Sequence, residues 1–188
     1  MIGQDCDSMQ IDRMSRQKQS WEPQFKEIFD RGVERYTSGN RSVTSFFSSE
    51  EISFLASIGC KEQELFDFVE DRCNYGEPDF ETALQVAVIR ERYFREVQKG
   101  VAAEMAIPAS ELPLKPQAMD GIPWLPRIIA KARAKLRGQL DRETMYGCGG
   151  DRPFLASYQL TLPEFLDIVW EYGDDDQKIL KALRAGGK

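Results

Sequence analysis

The residues with the greatest capacity for chemistry lie between Trp124 and Pro153, in the stretch WLPRIIAKARAKLRGQLDRETMYGCGGDRP. Its first part carries Arg127, Lys131, Arg133, Lys135 and Arg137 and no acid. Arg127, Lys131 and Lys135 follow one another at i+4, which places them along one flank of a helix. A row of cations beside the indole of Trp124 could hold an anion or a phosphate. The loop MYGCGGDRPF comes next, and its closely spaced glycines permit positive φ and close backbone approach to a ligand. Pro153 suits the first turn of a following helix, so Asp151 or Arg152 falls near its N-cap. Backbone N–H groups there can hold an anion, unless Asp151 itself caps them. No lysine followed by serine or threonine closes the loop, which separates it from a Walker phosphate loop.

Cys148 lies inside that loop and is the one candidate nucleophile; a helix N-terminus and Arg152 nearby would favour its thiolate. The chain contains no histidine, which excludes serine–histidine and cysteine–histidine hydrolase mechanisms. A catalytic Cys148 would therefore need a lysine, a tyrosine or a carboxylate as its base. Cys6, Cys60 and Cys73 have no comparable surroundings, and without a CxxC pair the four cysteines read as reduced thiols rather than a zinc site or disulfide framework. Carboxylates at Asp67, Glu70, Asp71 and at Glu164, Asp167, Glu171 read as solvated helix faces; neither metal nor cofactor is expected.

A purely structural role competes with each of these readings. The cations of 125–137 could pair with the acidic helices Glu62 to Asp71 and Glu164 to Asp176, and the glycine loop could be a tight turn capped by Asp151.

The elements that must position these residues follow from periodicity. Phe25, Ile28, Phe29, Val33 and Tyr36 predict a helix from Glu22 to about Ser38. Ser48 and Glu51 form a capping box before a short helix ended by Gly59. A third helix spans about Lys61 to Cys73. A fourth runs from about Asp79 to Lys99, with Leu84, Ala87, Val88, Tyr93 and Val97 on its apolar face. Leu125, Ile128, Ile129, Ala132 and Leu136 form the stripe of the basic helix. Thr161 with Glu164, and Asp174 with Gln177, start the last two helices. Five prolines between Pro108 and Pro126 make an extended strap, and Leu112, Leu114, Ile122 and Trp124 favour its packing as a belt over a core. No segment alternates over strand length. Phe46, Phe47, Phe54, Phe66 and Phe68 read as core.

The halves correspond. FLAS occurs at 54–57 and again at 154–157, and at the same offset Glu64, Asp67 and Val69 match Glu164, Asp167 and Val169. The expected fold is therefore all-α and pseudo-duplicated: a disordered leader over 1–20, a helical half over 21–100, a proline strap over 101–123, and a second helical half over 124–188. A net charge of −6 argues against nucleic acid, and no apolar run reaches the ~20 residues needed to cross a bilayer. The polar N-terminus is unlike a signal peptide, and the chain reads as cytoplasmic.

Trp124-Leu125-Pro126-Arg127, Lys131-Ala132-Arg133 and Gly138, followed by Tyr146, Cys148 and Asp151, resemble the pattern of a bacterial family of small helical proteins known as a domain of unknown function. The likeness is specific over Gly121 to Leu183 and looser over Trp21 to Gly100. It implies a small cytoplasmic helical protein and supplies no reaction, cofactor or catalytic residue. Gly149-Gly150 departs from the pattern, which argues against that pair as a general family ligand cradle.

Three functions fit these residues. The first is a non-catalytic module binding a small anion through Trp124, Arg127, Lys131, Tyr146, Cys148, Asp151 and Arg152. The second is a thiol enzyme or redox protein built on Cys148. The third is a structural protein whose basic helix docks on an acidic protein partner.

Overall fold

The computed structural model describes residues 21–186; the leader expected over 1–20 lies outside them. Their order is α1 (Glu22–Thr37), a 3-10 turn (Val43–Ser45), α2 (Ser49–Ser57), α3 (Glu62–Tyr75), α4 (Phe80–Glu96), a 3-10 turn (Ala109–Glu111), β1 (Ala118–Met119), β2 (Ile122–Pro123), α5 (Leu125–Arg137), α6 (Asp151–Ser157), α7 (Leu162–Tyr172) and α8 (Asp176–Arg184). The fold is all-α, with one minimal hairpin.

Local chemistry sets these boundaries. Ser48 and Glu51 form the expected capping box of α2, and Thr161 and Glu164 that of α7. The start of α8 falls one residue later than expected, because Asp175 rather than Asp174 accepts from Lys178 N. The apolar face of α1 lies on α3, where Gly32 lets the helices meet: a Cβ there would stand 3.1 Å from Val69 Cγ2. Helix α4 packs on α5 and α7, and α7 packs on α5 and α8. A single hydrophobic cluster takes Phe25, Ile28, Phe66 and Val69 from the first half together with Ile128, Ile129, Phe165 and Ile179 from the second. The two halves share one core.

Three expectations are corrected. The buried face of α4 is Ala83, Val86, Ala87, Ile89, Arg90, Glu91 and Phe94, while Val97 is half exposed. Helix α4 meets α1, α5 and α7 on a broader face than a single 3.6-residue stripe through Leu84 and Val88 describes. The strap does run as a belt, since Ile107 N donates to Gln139 O at 2.8 Å and Leu112 is buried, but Leu114 points outward. The strap also contains a β-hairpin, Ala118–Met119 with Ile122–Pro123, turned by Asp120-Gly121 with φ of 47° and 77°. An Asp-Gly pair in that conformation is the usual two-residue hairpin turn, legible in sequence despite strands too short to alternate.

The segments matched by FLAS close with the same hydrogen bonds. Cys60 N donates to Leu55 O and Leu160 N to Leu155 O, while Ser57 Oγ bonds Phe54 O and Ser157 Oγ bonds Phe154 O. The turn residues Gly59 and Gln159 have φ of 71° and 58°. Gly59 is required at its position, because a Cβ would fall 2.6 Å from the Phe94 ring.

Candidate functional site

The basic helix and the glycine loop meet through one buried ion pair. Lys131 projects from α5 with its ammonium against Asp151 Oδ2, and the two side chains are 4% and 0% exposed. Asp151 collects two further donors, Trp124 Nε1 at 2.9 Å on Oδ1 and Gly147 N at 2.8 Å on Oδ2. A carboxylate removed from water in this way is held by three polar contacts rather than by solvent. Asp151 is therefore not an ordinary helix cap. It occupies the first position of α6, whose N-cap Gly150 makes no side-chain bond, and it ties α5, the loop and α6 together.

Trp124 builds the other wall. It is the N-cap of α5 in the left-handed region, with φ of 71°, a conformation that costs a bulky residue about 1–2 kcal/mol. The close approach at Gly150 is made by this ring: a Cβ on Gly150 would lie 2.6 Å from Trp124 Cζ2. Of the three loop glycines only Gly147 has positive φ, and a Cβ there would meet Leu162 at 2.7 Å. Of the two readings open for these glycines, a ligand cradle and a tight turn, the close backbone approach here serves the protein's own side chains.

Cys148 is half-buried at the edge of this network, and Lys131 Nζ donates to its Sγ at 3.3 Å. The residue facing the thiol is Lys131, not Arg152. Tyr146 is turned inward, 2% exposed, and donates to Leu162 O at 2.8 Å; burial, reinforced by Asp151 and Asp167, pushes its phenol well above the ordinary range. It remains a neutral donor.

Arg127 and Arg152 sit elsewhere. Arg127 turns to the strap and donates to Pro113 O at 2.8 Å. Arg152 lies on the far side of the loop, where it donates to Gly147 O and to Asp71 Oδ2 at 2.8 Å, and its Nε meets Glu77 at 3.1 Å. The remaining cations of α5 pair with acids: Lys135 with Glu64 at 2.7 Å, Arg133 with Asp176 at 2.6 Å, and Arg137 with Asp174 at 3.3 Å. These are the acidic helices that the sequence offered as partners.

The α3 carboxylates are not a solvated face. Glu70 accepts from Tyr36, Asp71 takes Arg152, and Asp67 accepts from Gln63. Burial, helped by Glu64, Glu70 and Asp71 and opposed by the Gln63 bond, raises Asp67 to about 6. Among the described residues no group of three Cys, Asp or Glu is arranged to hold a metal ion.

Open space lies beside Arg152. A groove of about 540 Å³ is lined by Tyr75, Glu77, Gly149, Arg152 and Pro153. A second, of about 380 Å³, shares Glu77 and Arg152 and adds Arg72, Asp79, Thr82 and Thr161. It receives the starts of α4 and α7. Sequence reasoning found Arg152 and Gly149 here and missed Arg72, Tyr75 and Glu77. The local sequence there, Tyr75-Gly76, marks the end of α3 and carries no signal of a site.

Residues 113–188 match the family model described as Domain of unknown function (DUF5069). The basic helix, the loop and the last three helices all fall inside that match, whereas the looser likeness expected over Trp21 to Gly100 lies outside it. No curated protein and no solved structure matches the chain. Among the described residues, no helix is long and apolar enough to cross a membrane.

Proposed function

We propose that the chain is a non-catalytic binding module for a small anion, held in the paired grooves between the α3–α4 turn and the start of α6. The observation carrying this reading is the position of Arg152. It lines both grooves, its Nη1 is fixed by Asp71 and Gly147 O, and its Nε faces a carboxylate that is 65% exposed, Glu77. A preorganised guanidinium with an exchangeable partner suits an incoming carboxylate or phosphate. Arg72 lines the second groove, exposed to solvent, where it bonds Gly76 O and interacts electrostatically with Asp79 on the same wall. Thr82 and Thr161 add polar lining, and the N-terminal ends of α4 and α7 add partial positive charge. Lys131 and Asp151 then act by holding the loop rigid rather than by touching the ligand.

A thermal-shift screen against inorganic phosphate, pyrophosphate and small dicarboxylates tests this. Ligand at 100-fold its dissociation constant adds about 2.7 kcal/mol, several degrees in Tm. Stabilisation by at least one of these anions, reduced in Arg72→Ala, supports the reading. No shift with any of them, or a shift indifferent to Arg72, refutes it.

A further inference from the structure

Cys148 and Lys131 are juxtaposed in a way the binding function does not use. Sγ stands 3.3 Å from Nζ, and the amine is 4% exposed and aimed at the sulfur by its bond to Asp151. Cys148 is half-buried rather than enclosed, and it adjoins Gly149, which lines the 540 Å³ groove through which a small oxidant would approach. We propose that Cys148 and Lys131 form a reversible covalent N–S cross-link when the protein meets a hydroperoxide.

The peroxide transfers one oxygen to Cys148, giving a sulfenic acid and leaving as an alcohol or water, so the sulfur is oxidised by two electrons and the O–O bond reduced. Asp151 Oδ2, already accepting from Nζ, takes one proton from the Lys131 ammonium. The freed nitrogen pair attacks the sulfenic sulfur, the S–O bond breaks, and the hydroxyl leaves as water with a second proton from nitrogen. The product is Lys131–NH–S–Cys148 beside a protonated Asp151. A thiol reductant reverses it by attacking the sulfur, returning the amine. The cross-link fastens α5 to the loop and blocks further oxidation of Cys148.

Cys60 provides an internal contrast. It is buried, and burial pushes its thiol up to about 11, so it should stay reduced under the same treatment.

The experiment is tryptic peptide mapping of the intact chain after brief hydrogen peroxide treatment. The expected product joins the peptides containing Lys131 and Cys148, lighter by two hydrogen atoms than their sum, with no cleavage after Lys131. It should disappear on incubation with dithiothreitol and be absent from Cys148→Ser, whose half-buried site tolerates the change. Sulfinic or sulfonic acid at Cys148 with normal cleavage after Lys131 overturns the proposal. So does a link that retains an oxygen, or a Cys148 left unreacted where a free thiol standard is fully oxidised.

Discussion

The Lys131 ammonium and the Asp151 carboxylate form an ion pair inside the protein, with Trp124 and Gly147 completing the carboxylate's donors. It connects the most basic helix to the most glycine-rich loop. Taking two charges out of water costs several kcal/mol for each, so such a pair is weak evidence of stabilisation but strong evidence of mutual dependence.

Removing one partner should therefore be worse than removing both. Lys131→Met leaves Asp151 buried without its counter-charge and should destabilise by about 3–5 kcal/mol, and Asp151→Leu should do likewise. The double variant should lie well short of the sum, because neither charge is stranded. Urea denaturation of the four proteins measures this; additive losses would show that the two side chains do not depend on each other.

The loop glycines should differ sharply from one another. Gly147→Ala imposes positive φ on alanine and a clash with Leu162, and Gly150→Ala displaces the Trp124 ring, so each should cost about 1–3 kcal/mol. Gly149 is exposed, with Arg152 no nearer than 4.0 Å, and Gly149→Ala should stay within about 0.5 kcal/mol of wild type. Thermal unfolding separates them. Equal losses at all three positions would contradict the assignment of each glycine to a particular neighbour.

Stability should rise as pH falls through the titration of Asp67. Its folded value of about 6 lies above the ~3.9 of an unfolded aspartate, so the fold favours the protonated form. That contribution is fully present below about pH 4 and is lost as pH rises through 6. Asp67→Asn should thus stabilise by about 2–3 kcal/mol at pH 7–8 and by almost nothing at pH 4. Urea midpoints at the two pH values decide it; a gain equal at both would mean that burial does not disfavour the charge.

Much of this architecture is legible in the residues. Local signals carried far: the capping boxes at Ser48 and Thr161, the stripe of Leu125, Ile128, Ile129, Ala132 and Leu136, and the halt at Gly59 all follow from a few neighbours in sequence. The candidate site was half legible. Lys131, Cys148, Asp151 and Trp124 were selected for their types and do come together, but their pairing was not foreseen. A hydrogen bond between residues 20 apart depends on how α5 meets the loop, which no periodicity encodes. Arg127 and Tyr146 illustrate the opposite failure. Both have the right chemistry, yet one is drawn to Pro113 O and the other to Leu162 O, carbonyls exposed only by the packing of the strap and of α7. Arg72 and Glu77 were invisible because their importance comes from sharing a groove with Arg152, which lies far from both in the chain.

The most direct test is isothermal titration of inorganic phosphate into wild type, Glu77→Gln and Arg72→Ala. Glu77 competes with an incoming anion for Arg152 Nε, so Glu77→Gln should bind about tenfold more tightly than wild type, a gain of about 1.4 kcal/mol. Arg72→Ala should bind more weakly by a similar factor. No heat of binding in Glu77→Gln, or an affinity that neither substitution changes, would contradict the assignment of the grooves at Arg152 as an anion site.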